Sequence, residues 1–476
     1  MKAHVQAVAL VGLLFLTGCA VGAKYKRPAV AIPQQWTVNE AHGTNTGAVD
    51  DPWWNSFHDS EFESLISRAT KANLDLKLAS ARVAEARALR GVAKSGLFPS
   101  VSAGVSATRT RQRVIAAPAA AGSPKLVPIE INNFQGGFDA SWEVDVFGRV
   151  RRGLQAATAD AAAVTEYRRD VLVAVLAEVG RSYAELRGYQ LRLEIAEKNI
   201  AIQQDTLDLT KARTAAGLAT QLDVARAAAQ LETTRSVVPT LQSGIEVSIH
   251  RLSVLLGEEP GALRTELSSK APVPATPPEV PVGLPSQLLE RRADVRQAEA
   301  QIAAATARVG EAKAEFFPRV QLVGSAGRQA TQLHDLTLGL GNFFSAGPSI
   351  SLPIFTGGRI RSEVRVADTR LQQAVIGYRS AMLSALEETE NALVQYSEEQ
   401  TRRERLDNAV KSNEEAVRLS SELYRAGLAD FLAVLDAQRE LYANEDLLAQ
   451  SRTTQTVNLI ALYKALGGGW EAVNLQ

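Results

Sequence analysis

The chain is written twice. Phe98-Pro99 recurs as Phe317-Pro318, WEVDVFGRVRRGL (Trp142 to Leu154) recurs in outline as LPIFTGGRIRSEV (Leu352 to Val364), and Ala216-Gly217-Leu218 recurs as Ala426-Gly427-Leu428. The copies lie about 210 residues apart, and each sets two alternating segments between very long proline-free stretches. The first copy carries the longer insertion between its alternating segments, and a loop tip is where such an insertion is tolerated.

The alternation predicts strands. Val101, Ala103, Val105 and Ala107 alternate with Ser102, Gly104, Ser106 and Thr108, and Phe134, Gly136, Phe138, Ala140, Trp142 and Val144 alternate with polar neighbours. In the second copy Val320, Leu322, Gly324 and Ala326 share one face, and Phe344, Ala346, Ile350, Leu352 and Ile354 share another. Each segment approaches the roughly 9–11 residues of a tilted membrane-spanning strand. Half-buried strands of a soluble sheet would alternate in the same way. Arg109, Arg111 and Arg113, with the stretch up to Pro128, are expected in a long extracellular loop.

Between the strands the spacing predicts helices. From Arg151 to Ala215 a continuous helix would be roughly 100 Å long. Leu172, Leu176, Val179, Tyr183, Leu186 and Leu193 follow a four-three rhythm, and Tyr396, Arg403, Val410, Val417 and Tyr424 recur every seventh position. Such spacing implies laterally packed, coiled-coil-like helices. In each AGL turn a glycine can end one helix, with Thr220 or Asp430 capping the next.

The N-terminus places the chain. Lys2, an apolar run from Val5 to Leu16 and LTGC (Leu16 to Cys19) resemble a bacterial lipoprotein signal ending in a lipobox. Cys19 is the single cysteine, so it is the candidate lipid-attachment residue and no intrachain disulfide can form. Ala20 is not the aspartate associated with inner-membrane retention, which favours the outer membrane. Lysine plus arginine and aspartate plus glutamate each number 52, so no basic surplus points to nucleic acid. Beyond the signal peptide no apolar run is long enough for a transmembrane helix, so crossing a bilayer requires a closed β-barrel. Four strands cannot close one; two copies would supply eight strands and three would supply twelve.

Enzyme chemistry has no foothold in the sequence. The five histidines form no HExxH pair and there is no Walker-type glycine loop, so no catalytic residues, metal site or cofactor are expected beyond covalent lipid on Cys19. The remaining rivals to a channel are a structural coiled-coil lipoprotein and a periplasmic adaptor. An adaptor should carry a compact β-domain around one helical hairpin, whereas this chain places two strand hairpins inside a helical duplication. Two methionines argue weakly against a methionine-lined copper or silver route, and the exported compound is not legible.

Several segments together carry a resemblance: CAVGAKYKRP (Cys19 to Pro28), WW (Trp53, Trp54), GLPSQLLERRADVRQAEAQI (Gly283 to Ile302), LPIFTGGRI (Leu352 to Ile360), LDAQRELYANE (Leu435 to Glu445) and LYKALGGGW (Leu462 to Trp470). The chain resembles the outer-membrane channel lipoproteins of tripartite, RND-type efflux systems, within the TolC-like outer membrane factor family. Ala23 and Ala293 depart from it, standing where relatives commonly carry proline.

The resemblance implies an α+β membrane protein, internally duplicated, acting as a homotrimer. A twelve-stranded transmembrane β-barrel, with four strands per chain, would continue into a long periplasmic α-helical barrel girdled by an equatorial band. The partners implied are a periplasmic adaptor (membrane fusion) protein, an inner-membrane RND-type transporter and outer-membrane lipid, with passive export of small molecules such as drugs. The expected organisation is a signal peptide over 1–18, a lipidated segment over 19–60, a first repeat over 61–257 with a β-hairpin at 99–146, a Pro-rich linker over 258–286, a second repeat over 287–466 with a β-hairpin at 318–354, and a tail over 467–476.

The resemblance also implies a periplasmic gate at the helical turns. Asp223 and Tyr424 match two polar members of the family's gate network by their position relative to AGL, and Asp436 matches one carboxylate of its acidic constriction. The companion acidic position is Ala433 and no arginine stands at Ala429, so the network is thinner here; Asp430 is a substitute acidic group. Threefold symmetry would turn an inward carboxylate into a ring of three that favours cations. Taken singly, Asp223 could equally cap a helix or face solvent, and Tyr424 could be a heptad core residue.

Overall fold

The computed structural model describes residues 20–28, 32–37, 43–45, 47, 52–116, 125–338, 341–471 and 473. Cys19 and the expected signal peptide, 1–18, lie outside the described residues.

The duplication is carried into matched elements. Helix α1 (Ser60–Ala72) leads into α2 (Leu74–Ser95), strands β1 (Ser100–Ala116) and β2 (Lys125–Val144), and helices α3 (Arg149–Ala215) and α4 (Gln221–Leu255). The second copy supplies α5 (Ala293–Ala314), β3 (Arg319–Ala330), β4 (Asn342–Ser351), α6 (Arg359–Arg425) and α7 (Phe431–Ala465). Helices α2 and α5 both have 22 residues, α3 and α6 both have 67, and α4 and α7 both have 35, so the repeats differ mainly in their strands. A proline at 239 lies inside α4 without ending it.

The chain forms two compact units, each drawing segments from both repeats: 1–28, 84–163 and 299–377 make one, and 29–83, 164–298 and 378–476 the other. The first holds an antiparallel four-stranded sheet in the order β1-β2-β3-β4. Three ladders fix its register, with Val101 opposite Ala140, Phe138 opposite Ala326, and Ala326 opposite Phe344.

Two expectations are corrected here. The stretch holding Arg109, Arg111 and Arg113 is strand, not loop: β1 and β2 stay paired as far as Ala116 opposite Lys125. Pro128 is accommodated opposite Arg113 because β2 pairs with β3 only from Phe134 onward, and among the described residues no strand pairs with its other edge there. At the other hairpin β4 ends at Ser351, so Leu352 and Ile354 lie beyond the strand.

The junctions of this unit are tied by short-range chemistry. Asp145 accepts from the backbone N–H groups of Val150 (3.2 Å) and Arg151 (2.8 Å), satisfying donors at the start of α3. Gly148 turns the chain at φ 85°, and a Cβ there would meet Ala20 at 2.8 Å. Phe147 stacks on Phe317 at 4.9 Å, joining the FGR turn of one repeat to the Phe-Pro pair of the other.

The second unit holds the main core. Leu172, Leu176, Val179, Tyr183 and Leu186, the four-three series, are buried with Leu459, Ile460, Leu462 and Tyr463 of α7. Burying each such side chain is worth about 1.5–3 kcal/mol relative to exposure. Trp53 stacks on Tyr463 at 5.4 Å, and Phe62 on Tyr183 at 5.5 Å. The glycines of LYKALGGGW have a steric reason. Gly469, at φ 101°, lies so close to Trp53 that a Cβ would stand 2.8 Å from its indole nitrogen. Trp470 then carries Arg169 over its ring at 4.4 Å and donates to the Arg291 carbonyl at 2.9 Å.

Candidate functional site

Two features bear on function, one in each unit. In the sheet, residues paired across antiparallel strands share a face, so the ladders define its two sides. One side collects Val101, Val105, Phe138, Leu322, Phe344 and Ile350, all exposed, with Val105 at 89% and Phe344 at 86%. The other collects Ser102, Ser106, Gln135, Asp139, Ser325 and Ser345. An apolar face open to the surroundings opposite a polar one is the pattern of a lipid-facing barrel wall with a polar interior. Among the described residues β1 and β4 are the edges of this sheet. Among the described residues no helix is long and apolar enough to cross a membrane.

At the helical turns the two repeats use the same stop signal. Gly217 (φ 75°) and Gly427 (φ 74°) are left-handed, and Leu218 N donates to the Arg213 carbonyl as Leu428 N donates to that of Leu423, both at 2.8 Å. This six-residue closure satisfies the last carbonyls of α3 and α6. Thr220 then caps α4 in a reciprocal box: its hydroxyl accepts from Asp223 N, while the Asp223 carboxylate accepts from Thr220 N (3.0 Å) and Oγ1 (2.8 Å). Asp430 caps α7 by accepting from Ala433 N at 3.1 Å.

These bonds place each expected gate residue. Asp223 and Asp430 are both occupied at helix starts. Tyr424 is buried in a small cluster with Leu207, Ala227, Leu231, Phe431, Val434 and Leu435, its ring 5.8 Å from that of Phe431. The Tyr424 hydroxyl is buried without a hydrogen-bond partner among the described residues. Asp436 is exposed on α7, 3.8 Å from Arg439. The structure thus brings Tyr424 and the Asp430 cap together around one turn, holds Asp223 in the equivalent turn of the other repeat, and leaves Asp436 on the helix surface.

One residue escaped the sequence reading. Arg213, in the last turn of α3, lies 4.4 Å over the Tyr424 ring and donates to the Tyr424 carbonyl at 3.3 Å, clasping the first repeat to the second. A basic residue near a helix C-terminus ordinarily reads as a partner of the helix dipole, so its position along the chain offered no sign of this contact. Gln438 of α7 also donates to Thr206 of α3 at 3.0 Å.

The model of a family described as outer membrane efflux protein matches residues 65–258 and 284–468, most of both repeats. The chain belongs to the outer membrane efflux protein family. It is 32% identical to the toluene efflux pump outer membrane protein TtgF of Pseudomonas putida, over all of this chain and 99% of that protein. It is 30% identical to nodulation protein T of Rhizobium leguminosarum bv. trifolii, over 97% and 96% of the two chains. Among solved structures it is similar to the outer-membrane channel OprN, with a TM-score of 0.88 and 34% identity, over 95% of this chain and all of that one. As a member of this family the chain is an outer-membrane protein and the exit duct of an efflux system, with the TolC-like combination of a β-domain and a helical barrel.

Proposed function

We propose that the duct is a homotrimer in which each chain lends β1 to β4 to a twelve-stranded barrel, and that it passes small apolar compounds delivered by an inner-membrane RND-type transporter through a periplasmic adaptor. The observation that carries this reading is the open sheet, with an exposed apolar face and two free edges. Backbone groups on such edges are costly in hydrocarbon, so the sheet must be closed by strands from elsewhere. Other copies of this chain supply edges of the same kind. Transport through the duct is passive in this reading, since the chain carries no nucleotide-binding glycine loop. TtgF is named for toluene, and apolar solvents of that kind are the cargo proposed here.

The LTGC sequence supports acylation of Cys19 as a second attachment to the outer membrane. The turn contacts support a resting gate: opening would draw the α6–α7 hairpin from the α3–α4 hairpin and break the Arg213–Tyr424 clasp. Asp436 would then contribute to a carboxylate ring near the constriction.

The test is single-channel recording of purified full-length protein in a planar bilayer, paired with mass photometry. Discrete conductance steps from a trimeric species are expected. Absence of current from a correctly inserted protein, or current from a dimer, overturns the arrangement.

A further inference from the structure

Along β1, the apolar row that faces lipid is followed on the same side by arginines. Val101, Ala103, Val105 and Ala107 occupy alternate positions, and Arg109, Arg111 and Arg113 continue them. A spanning strand uses about 9–11 residues, so from Val101 the far membrane surface falls at about Arg109 to Arg111. The helices α2 and α3 join this sheet at its opposite end, so that surface is the external leaflet.

The other face turns more apolar at this level. Opposite the arginine row, on the other side of the same hairpin, Val114, Val127, Ile129 and Ile131 stand with Thr110 and Gln112, whereas lower down that side of β1 is serine, glycine and threonine, facing Asn133, Gln135 and Asp139 of β2. The arginines are therefore not an extension of a polar interior. Arg109 bonds Glu130, and Arg111 Nε lies 3.7 Å from the same carboxylate, while Arg113 is exposed. Both Arg109 and Arg111 side chains remain 71% accessible. Arg109 and Arg111 thus share one carboxylate, and with Arg113 outside that pairing the row stays cationic.

We propose that Arg109, Arg111 and Arg113 bind the phosphate groups of lipid headgroups in the external leaflet. Same-face residues on a strand repeat at about 6.6–6.8 Å, and each guanidinium offers a planar fork of donors that matches phosphate oxygens. The occupant is a phosphorylated lipid rather than free phosphate because the row is continuous with the lipid-facing band. A headgroup whose acyl chains lie along Val101, Val105 and Phe138 carries its phosphate to this height. Glu130 keeps Arg109 and Arg111 extended along the strand while reducing their net attraction.

The experiment is native mass spectrometry of full-length protein released from phosphatidylcholine vesicles doped with either a bisphosphorylated glucosamine-disaccharide lipid or its dephosphorylated form. Wild type should retain the phosphorylated lipid over the other by on the order of tenfold or more, as expected for about two unneutralised charges near a lipid surface. The triple variant R109Q/R111Q/R113Q should lose that preference, and Glu130→Gln should increase it. The Glu130 variant keeps every arginine, so it remains decisive where the triple variant fails to fold. Equal retention of both lipids by wild type, a preference unchanged in the triple variant or lowered in Glu130→Gln, or displacement of the lipid by an equal concentration of inorganic phosphate, overturns the proposal.

Discussion

Arg213 holds Tyr424 by both its ring, at 4.4 Å, and its backbone carbonyl, at 3.3 Å, so one guanidinium links the end of α3 to the end of α6. A cation over an aromatic ring at a partly exposed site contributes about 0.5–1 kcal/mol. If this clasp holds the duct closed, Arg213→Ala raises resting conductance in planar bilayers while trimers persist. Tyr424→Phe keeps the clasp and removes a hydroxyl with no partner among the described residues, so by itself it should leave conductance near wild type. Unaltered resting conductance in intact Arg213→Ala trimers would remove the clasp from the gate.

Asp223 and Asp430 are expected to act on stability first. Loss of the Asp430 N-cap costs about 0.5–2 kcal/mol, and Asp223→Ala removes the acceptor for Thr220 N while leaving the Thr220 hydroxyl cap, so both variants should lower the midpoint of helix melting followed by circular dichroism, Asp430→Ala by more. Asp223→Asn retains a side-chain oxygen and should recover most of the loss. A midpoint unmoved by Asp223→Ala would show that the reciprocal cap carries no weight at this turn.

Asp436 makes the opposite contrast, being exposed and only loosely paired with Arg439. Asp436→Asn should leave melting unchanged but lower the cation-to-anion permeability ratio and weaken block by multivalent cations. Selectivity identical to wild type would place this carboxylate away from the ion path.

The carboxyl of Asp170 gives a pH prediction. Burial, reinforced by the Asp294 carboxylate, pushes its pKa up against the pull of Arg292 and Lys464. Its contribution to stability is therefore full below the ordinary aspartate value and is lost as pH rises through the raised one. Asp170→Asn should raise Tm at neutral pH and lose that advantage in acid. A variant less stable than wild type at neutral pH, with the same acid behaviour, would contradict the assignment.

Cys19 should prove dispensable for insertion. Closure of a barrel buries far more apolar surface than two or three acyl chains. A Cys19→Ser chain directed by an ordinary cleavable signal should still yield outer-membrane trimers on cell fractionation. Soluble monomers in the periplasm would mean that the lipid, not the strands, holds the protein in place.

The spanning parts of the strands were legible in sequence because the β1 and β2 segments alternate apolar with small or polar residues. The extension above them was not. Pro128 reads as a breaker unless it is known that β2 lacks a second neighbour there, and Arg109 to Arg113 look solvated until their pairing with Asn132, Glu130 and Pro128 is seen. The turns were legible because glycine and a capping side chain act within a few residues. Asp223 illustrates the limit: its cap with Thr220 is local and could be foreseen, whereas the clasp of Arg213 on Tyr424 spans two repeats and depends on how α3 and α6 pack.

The free edges of β1 and β4 have a genetic consequence. A chain that cannot complete its own sheet is not an autonomous unit of inheritance, because its phenotype is expressed through whichever siblings it joins. An allele that folds and pairs normally but jams the turn would spoil assemblies containing wild-type chains and behave as dominant. One that destroys an edge would be excluded from assemblies and behave as recessive. Dominance should thus sort the mutations of this gene by where they fall between the strands and the turns.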